Sequence, residues 1–404
     1  MKKKIVILAS FFCGWNGGVD LISYFLKAIN YKKNNYYVYI FIPNNNLISF
    51  LKKTIFPVYQ FLRFFILRQK INSYNWKYKK GSDLIEKYVL DNFKSNNINI
   101  IYTDFSNEKK NILKLDPDII FPALSDNYDK TKAIGYIFDL QHEYFPEFFS
   151  KEIIYQRRKE IDNLSNLDFF IVNSKKTKTD LIKFHKVFKK KKILSVPFTP
   201  NIQKKFLFKK INISNYYNSD NKYFIICNQF WRHKNHFLVL KVFEKYIKSG
   251  GVNNLILTGD INYIKDHNHI KKIKVSLKKK LFVDRVFYTG NIEKKYQIEL
   301  LKNSIALIQP SSFEGGPGAG AINEAIALNL PIIASNIIVN KEINYRKINF
   351  FNTNKELLNF LFLIENKRKF KINRLKQLHY LDIKMKRCSD FFIKSFDKFL
   401  NLSK

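Results

Sequence analysis

Residues 309–335 read QPSSFEGGPGAGAINEAIALNLPIIAS, and the fold is decided here. The stretch starts at the end of an apolar run, 305–308, and crosses a loop with four glycines among the seven residues after Glu314. A short helical pattern carrying Glu324 follows, Asn329 and Pro331 break it, and 332–335 is another buried strand pattern. Strand, glycine loop, helix and strand form a crossover unit whose loop lies at the carboxyl end of a parallel sheet. In open α/β folds that is where ligands bind.

Glycines at 315, 316, 318 and 320 let the backbone approach a ligand closely, and the helix that follows adds its positive N-terminal end. Such a seat takes an anion or a cluster of sugar hydroxyls. Glu314 and Glu324 flank it, and carboxylates repel phosphate but suit hydroxyls. A ligand with both phosphates and vicinal hydroxyls, such as a nucleotide sugar, uses both kinds of group. The plainer reading of these residues alone is a tight turn with two solvated acids.

The run FEGGPGAGAINEAIALNLPIIAS, with FYTGNI and IALIQPS upstream, resembles the donor-site signature of retaining glycosyltransferases of family four. These are GT-B enzymes with two glutamates on either side of a glycine loop. The family usually has seven residues between the glutamates; here there are nine, 315 to 323. The longer loop bears on how the sugar is recognised more than on the class of reaction.

Composition fits a large α/β protein. The chain has 404 residues, 46% of them hydrophobic, enough for two or three domains. It contains no run of about 18 or more uncharged apolar residues, so no transmembrane helix is expected. Its start, MKKKIVILASFFC, imitates a lipoprotein signal, but Phe12 before Cys13 is too bulky for processing and GWNGG continues as a turn after a strand. Cys13, Cys227 and Cys388 are widely spaced with no CxxC pair, which reads as free buried thiols in a reducing cytosol. The formal net charge is +38. AT-rich codon usage accounts for many lysines, while a field of this sign also attracts anionic membranes, phosphorylated lipids or nucleic acid.

Along the chain, apolar runs at 4–11, 37–42, 98–103, 118–122, 134–138, 168–173 and 193–196 read as strands of a first parallel sheet. Gly17 and Gly18 follow the first of them and match the Gly-Gly pair that the resembled enzymes carry facing the cleft. Neither GxGxxG nor GxxxxGK is present, which removes support for hydride transfer and ATP hydrolysis. Residues 47–80 alternate Phe, Leu and Ile with Lys and Arg around Pro57, a composition suited to a helix in a membrane interface or to an ordinary helix facing the core. Asp116-Pro117-Asp118 forms a DxD, but it precedes its strand, at the end of the sheet away from ligands, and is discarded as a metal site. His142, in DLQHEYFPEFFS, lies just beyond a strand's carboxyl end and is expected to face the cleft; the resemblance places a histidine near the donor sugar here.

Residues 197–221 are rich in Pro, Asn and Ser and lack periodicity, marking a linker. Further strands at 223–229, 255–258, 286–289 and 305–308 alternate with helices, the pattern of a second parallel sheet. The loop NQFWRHKNH follows the first of these strands. By resemblance, Lys234 holds the donor diphosphate, with Arg232 substituting for a basic residue where this chain has Gln229. A charge-assisted bond of that kind is worth roughly 1.5–3 kcal/mol. Residues 378–400 form a helix with Phe391, Phe392, Phe396 and Phe399 on one side, which in GT-B enzymes crosses back onto the first domain.

The expectation is thus an α/β chain of GT-B fold, two Rossmann-like domains facing across a cleft: 1–198 for acceptor, a linker at 199–221, 222–375 for nucleotide sugar, and a returning helix at 376–404. The resemblance implies Glu324 on the ribose, Glu314 on the donor sugar, Lys234 with Gly315 and Gly316 on the diphosphate, and His142 near the reacting carbon. It implies a sugar transferred with retention to a glycan or lipid-linked glycan. With Lys234 and helix N–H groups for the diphosphate and no credible metal cluster, no metal or other cofactor is expected, and the lack of an export signal together with the basic charge points to the cytoplasmic side, with an anionic membrane face as a candidate partner. A non-catalytic sugar-binding or scaffold relative keeps the fold but has no reason to keep both glutamates. A nucleic-acid-binding protein would explain the charge, but finger, RNP and helix-turn-helix signatures are missing.

Overall fold

The computed structural model describes residues 2–31, 36–43, 76–93, 98–103, 107–261, 266–317, 319–365 and 373–402. The basic aromatic stretch 47–80 lies outside these except for its last five residues, which begin the helix Trp76–Asn92.

Two parallel sheets carry the chain. The first holds β1 (Lys3–Leu8), β2 (Tyr36–Pro43), β3 (Ile98–Thr103), β4 (Ile119–Ala123), β5 (Ala133–Ile137), β6 (Phe169–Val172) and β7 (Lys192–Ser195), in the order β3-β2-β1-β4-β5-β6-β7. The second holds β8 (Tyr223–Cys227), β9 (Asn254–Thr258), β10 (Val286–Gly290), β11 (Ala306–Gln309), β12 (Ile332–Ser335) and β13 (Ile348–Phe351), in the order β10-β9-β8-β11-β12-β13. Central strands such as β4, β5, β8 and β9 are buried at every residue, because helices cover both faces of each sheet. This is the reason the strands read as continuous apolar runs instead of alternating ones.

Strand order reverses at β1/β4 in the first sheet and at β8/β11 in the second. Loops at such a switch point diverge and leave a crevice at the strands' carboxyl ends. In the second sheet the two loops concerned are the one carrying Lys234 and the one carrying Glu314. Topology alone therefore brings these two residues, 80 positions apart, to one place.

β1 ends at Leu8, earlier than its apolar run, because Ser10–Gly14 turns as a 3-10 helix into the helix Asn16–Ile29. Gly18 is required at that entry: a Cβ there would stand 2.4 Å from the Phe12 carbonyl oxygen. Asp118, from the discarded DxD, accepts a 2.7 Å hydrogen bond from the Lys4 backbone N–H at the amino end of β4, and Asp116 pairs with Lys132. All three cysteines are buried and free.

The final helix, Arg374–Leu402, crosses back to the first domain. Phe392, Phe396 and Phe399 recur at helical spacing and enter the core formed by β1, β4 and the helix Asn16–Ile29, with the Phe392 ring 5.4 Å from Phe25. No described helix is long and apolar enough to cross a membrane.

Candidate donor site

Asn235 adopts a left-handed conformation, φ 53°, which asparagine tolerates better than most residues. It ends the 3-10 turn Arg232–Lys234 and starts the helix His236–Lys248, leaving Lys234 beside the glycine loop. Lys234 Nζ donates to Glu314 Oε1 at 2.6 Å, and both side chains are largely buried. Gln309, fully buried at the end of β11, donates through Nε2 to the same Glu314 oxygen at 2.9 Å and accepts from Asn228 Nδ2 at 2.9 Å. A polar chain thus runs Asn228–Gln309–Glu314–Lys234 through the switch point. Burial pushes the Glu314 carboxyl up, but Lys234 leads the groups that outweigh it and hold it below its ordinary value. Glu314 is thus favoured as an anion within the buried pair with Lys234.

Glu324 lies in the helix Ala319–Ala327 and is also buried. It accepts from Lys294 Nζ and, at 3.0 Å, from Gln297 Nε2, both on the helix Lys294–Asn303. Burial raises its carboxyl above the ordinary value against the pull of Lys294. Lys294 donates as well to Asp20 Oδ2 at 2.8 Å, two residues after Gly18 on the first domain, so this ion triad spans both domains.

The glycine loop sits against the first domain. The Gly315 carbonyl accepts from Thr177 Oγ1 at 2.6 Å and Ser174 Oγ at 3.1 Å, and a Cβ on Gly315 would stand 2.5 Å from the Phe138 carbonyl oxygen. Only glycine fits this approach. Gly316 faces Asn173 with slightly more room. Below the loop, the Glu342 carboxylate accepts from the backbone N–H groups of Lys175 and Lys176, at the positive end of the helix Lys175–Phe184.

Two expected positions come out differently. His142 does not face the crevice: it is 1% exposed, inside the first domain beside Glu143 and His185. The short helix Gln141–Tyr144 turns its first residue outward instead, and Gln141 Nε2 meets His233 Nδ1 across the domains at 2.7 Å. Arg232 pairs with Asp266 at 2.5 Å and lies over the Phe148 ring, so it is engaged away from the Lys234–Glu314 pair. Gln229, at the position where the resembled enzymes have a basic residue, instead accepts from the Asp260 backbone N–H at 2.9 Å. Lys294, Asp20, Gln141, Gln309 and His233 escaped the sequence reading. Lys294 had one signal, its place two residues after FYTGNI; the others had none, because a polar side chain's facing is set by tertiary contacts.

Residues 208–355 match the family model for glycosyl transferases group 1. No curated protein sequence matches the chain. In fold it is similar to sucrose-phosphate synthase from Thermosynechococcus elongatus, with TM-score 0.64, 13% identity, and 99% of this chain and 100% of that one covered. It is similar too to a glycosyltransferase from Rickettsia africae (TM-score 0.61, 13% identity, 99% of each chain covered). Anabaena HepE in complex with UDP-glucose aligns with TM-score 0.59, 12% identity and 99% of each chain covered. With two parallel sheets and a returning helix the chain has the GT-B fold of these structures, and its residues 208–355 are similar to glycosyl transferases group 1.

Proposed function

We propose that the protein moves a sugar from a nucleotide-sugar donor to a hydroxyl of a glycan or lipid-linked glycan, with retention of configuration. The observation that carries this is the pair of buried carboxylates flanking the glycine loop, each bonded to a lysine: Glu314 to Lys234 and Glu324 to Lys294. In this reading Glu324 accepts from the ribose hydroxyls, with Lys294 turning to Asp20 as the ribose enters. Glu314 contacts the donor sugar, and Lys234 with the backbone of Gly315 and Gly316 stabilises the departing diphosphate. Loss of that diphosphate is the hard step, so groups aimed at its developing charge supply much of the catalysis.

Acceptor binding falls to the first domain and the crevice beside Phe138 and Gln141. The diphosphate is served by lysine and backbone N–H groups, so added Mg²⁺ or Mn²⁺ leaves turnover unchanged. Charge and the stretch 47–80 suit work at the cytoplasmic membrane face, on surface polysaccharide or lipid-linked glycan. Thermal shift with UDP-, GDP- and ADP-sugars tests the donor class, and UDP-glucose is the first choice because the similar HepE was solved with it. Stabilisation by one nucleotide series supports the reading; no shift with any series removes it.

A further inference from the structure

Among the described residues, one group of three metal-ligating side chains comes together: His142, Glu143 and His185, whose ligand atoms all lie within 4.8 Å of one another. Two are on the short helix after β5, and His185 closes the helix Lys175–Phe184. All three side chains are buried, with relative exposures of 1%, 6% and 3%. Such burial normally demands hydrogen-bond partners. Yet both ring nitrogens of His142 and the Nε2 of His185 have none, and His142 Nε2 stands 3.4 Å from Glu143 Oε1 without a hydrogen bond.

The surroundings are those of metal ligands. His185 Nδ1 meets Asp162 Oδ1 at 2.7 Å, which fixes the ring and leaves Nε2 facing the cluster, the carboxylate–histidine arrangement typical behind a zinc ligand. Glu143 is oriented by Arg158, whose Nε and Nη2 donate at 2.7 and 2.6 Å. Two oxygens offer about four lone-pair sites, so these bonds leave room for a further partner.

We propose that His142, Glu143 and His185 bind a zinc ion. Two imidazoles and one carboxylate make a three-ligand set, and a water completes the tetrahedron. Zn–N bonds of about 2.0–2.1 Å put tetrahedral ligands about 3.3 Å apart. The cluster therefore contracts on binding. The ion clips the helix Gln141–Tyr144 to the helix Lys175–Phe184. Those elements carry Gln141, which reaches His233, and Thr177, which holds the Gly315 carbonyl, so the clip fixes the first domain's side of the donor site. Sequence gave no warning, since His142 and His185 are 43 positions apart and the only adjacent pair is His-Glu.

The test uses the full chain stripped with chelator and titrated with Zn²⁺ by calorimetry and with Co²⁺ by visible absorption. One equivalent of ion per chain is expected, with a tetrahedral cobalt spectrum. His185→Ala loses both signals. Asp162→Asn, at a half-exposed carboxylate that touches no metal, weakens affinity by about 10–100-fold and covers the case where His185→Ala fails to fold. Absence of stoichiometric uptake, or uptake unchanged in Asp162→Asn, overturns the site.

Discussion

Lys234 and Glu314 concentrate the argument in one buried pair. Removing one partner of such a pair leaves the other charge uncompensated, at a cost of about 3–5 kcal/mol. Lys234→Met is therefore expected to lower stability by about that much in denaturant unfolding without ligand, beyond any loss of donor binding. A stability equal to wild type would show that the pair forms only weakly in solution. The sequence exposed this pair because the glycine loop follows one strand and the lysine follows another, and loops after parallel strands meet at the sheet's carboxyl end. It could not expose the inward turn of His142. Neighbouring residues on a short helix point in different directions, and packing alone decides that Gln141 reaches the second domain.

At the level of elements, buried strands were legible because two helix-covered faces leave long apolar runs. β13 was not: INFF is a short edge strand, only partly buried, whose residues resemble much of this Asn- and Phe-rich chain. The helices Lys175–Phe184 and His267–Leu277 were also hidden, since lysine on their exposed faces obscures the periodicity. The returning helix was clear from its phenylalanines. Phe392→Ala removes a fully buried ring from the first domain's core and is expected to cost about 3–5 kcal/mol, measured by urea unfolding.

The helix His236–Lys248 carries a pH dependence. His236 is fully buried and stacked on Phe230 at 4.1 Å; burial lowers its pKa to about 3 from 6.5, with His269 and Lys234 adding to the effect. The unfolded chain then binds the proton that the native state refuses, so stability rises with pH through this window. The contribution is complete above about pH 6.5 and is lost as pH falls toward 3. His236→Phe keeps a ring on Phe230 and should flatten the fall in melting temperature between pH 6.5 and 4 relative to wild type. An equal fall in both proteins would assign the acid sensitivity elsewhere.

For the whole molecule, the two domains meet through polar contacts around the glycine loop and Glu324: Gln141 with His233, Thr177 with Gly315, and Asp20 with Lys294. The +38 charge acts at a longer range. Each basic residue near an anionic surface contributes about 1 kcal/mol, an attraction that salt screens. Flotation should show binding to anionic vesicles at low salt that declines at high salt, and neutral vesicles should float alone. Indifference to both vesicle types would favour a soluble acceptor. The central claim is that two glutamates divide the donor between them, and turnover with the nucleotide sugar found by thermal shift tests it most directly. Glu324→Ala should mainly weaken nucleotide binding, while Glu314→Ala should keep nucleotide affinity and lower kcat by about a hundredfold or more; kinetics like wild type in both variants would contradict the account.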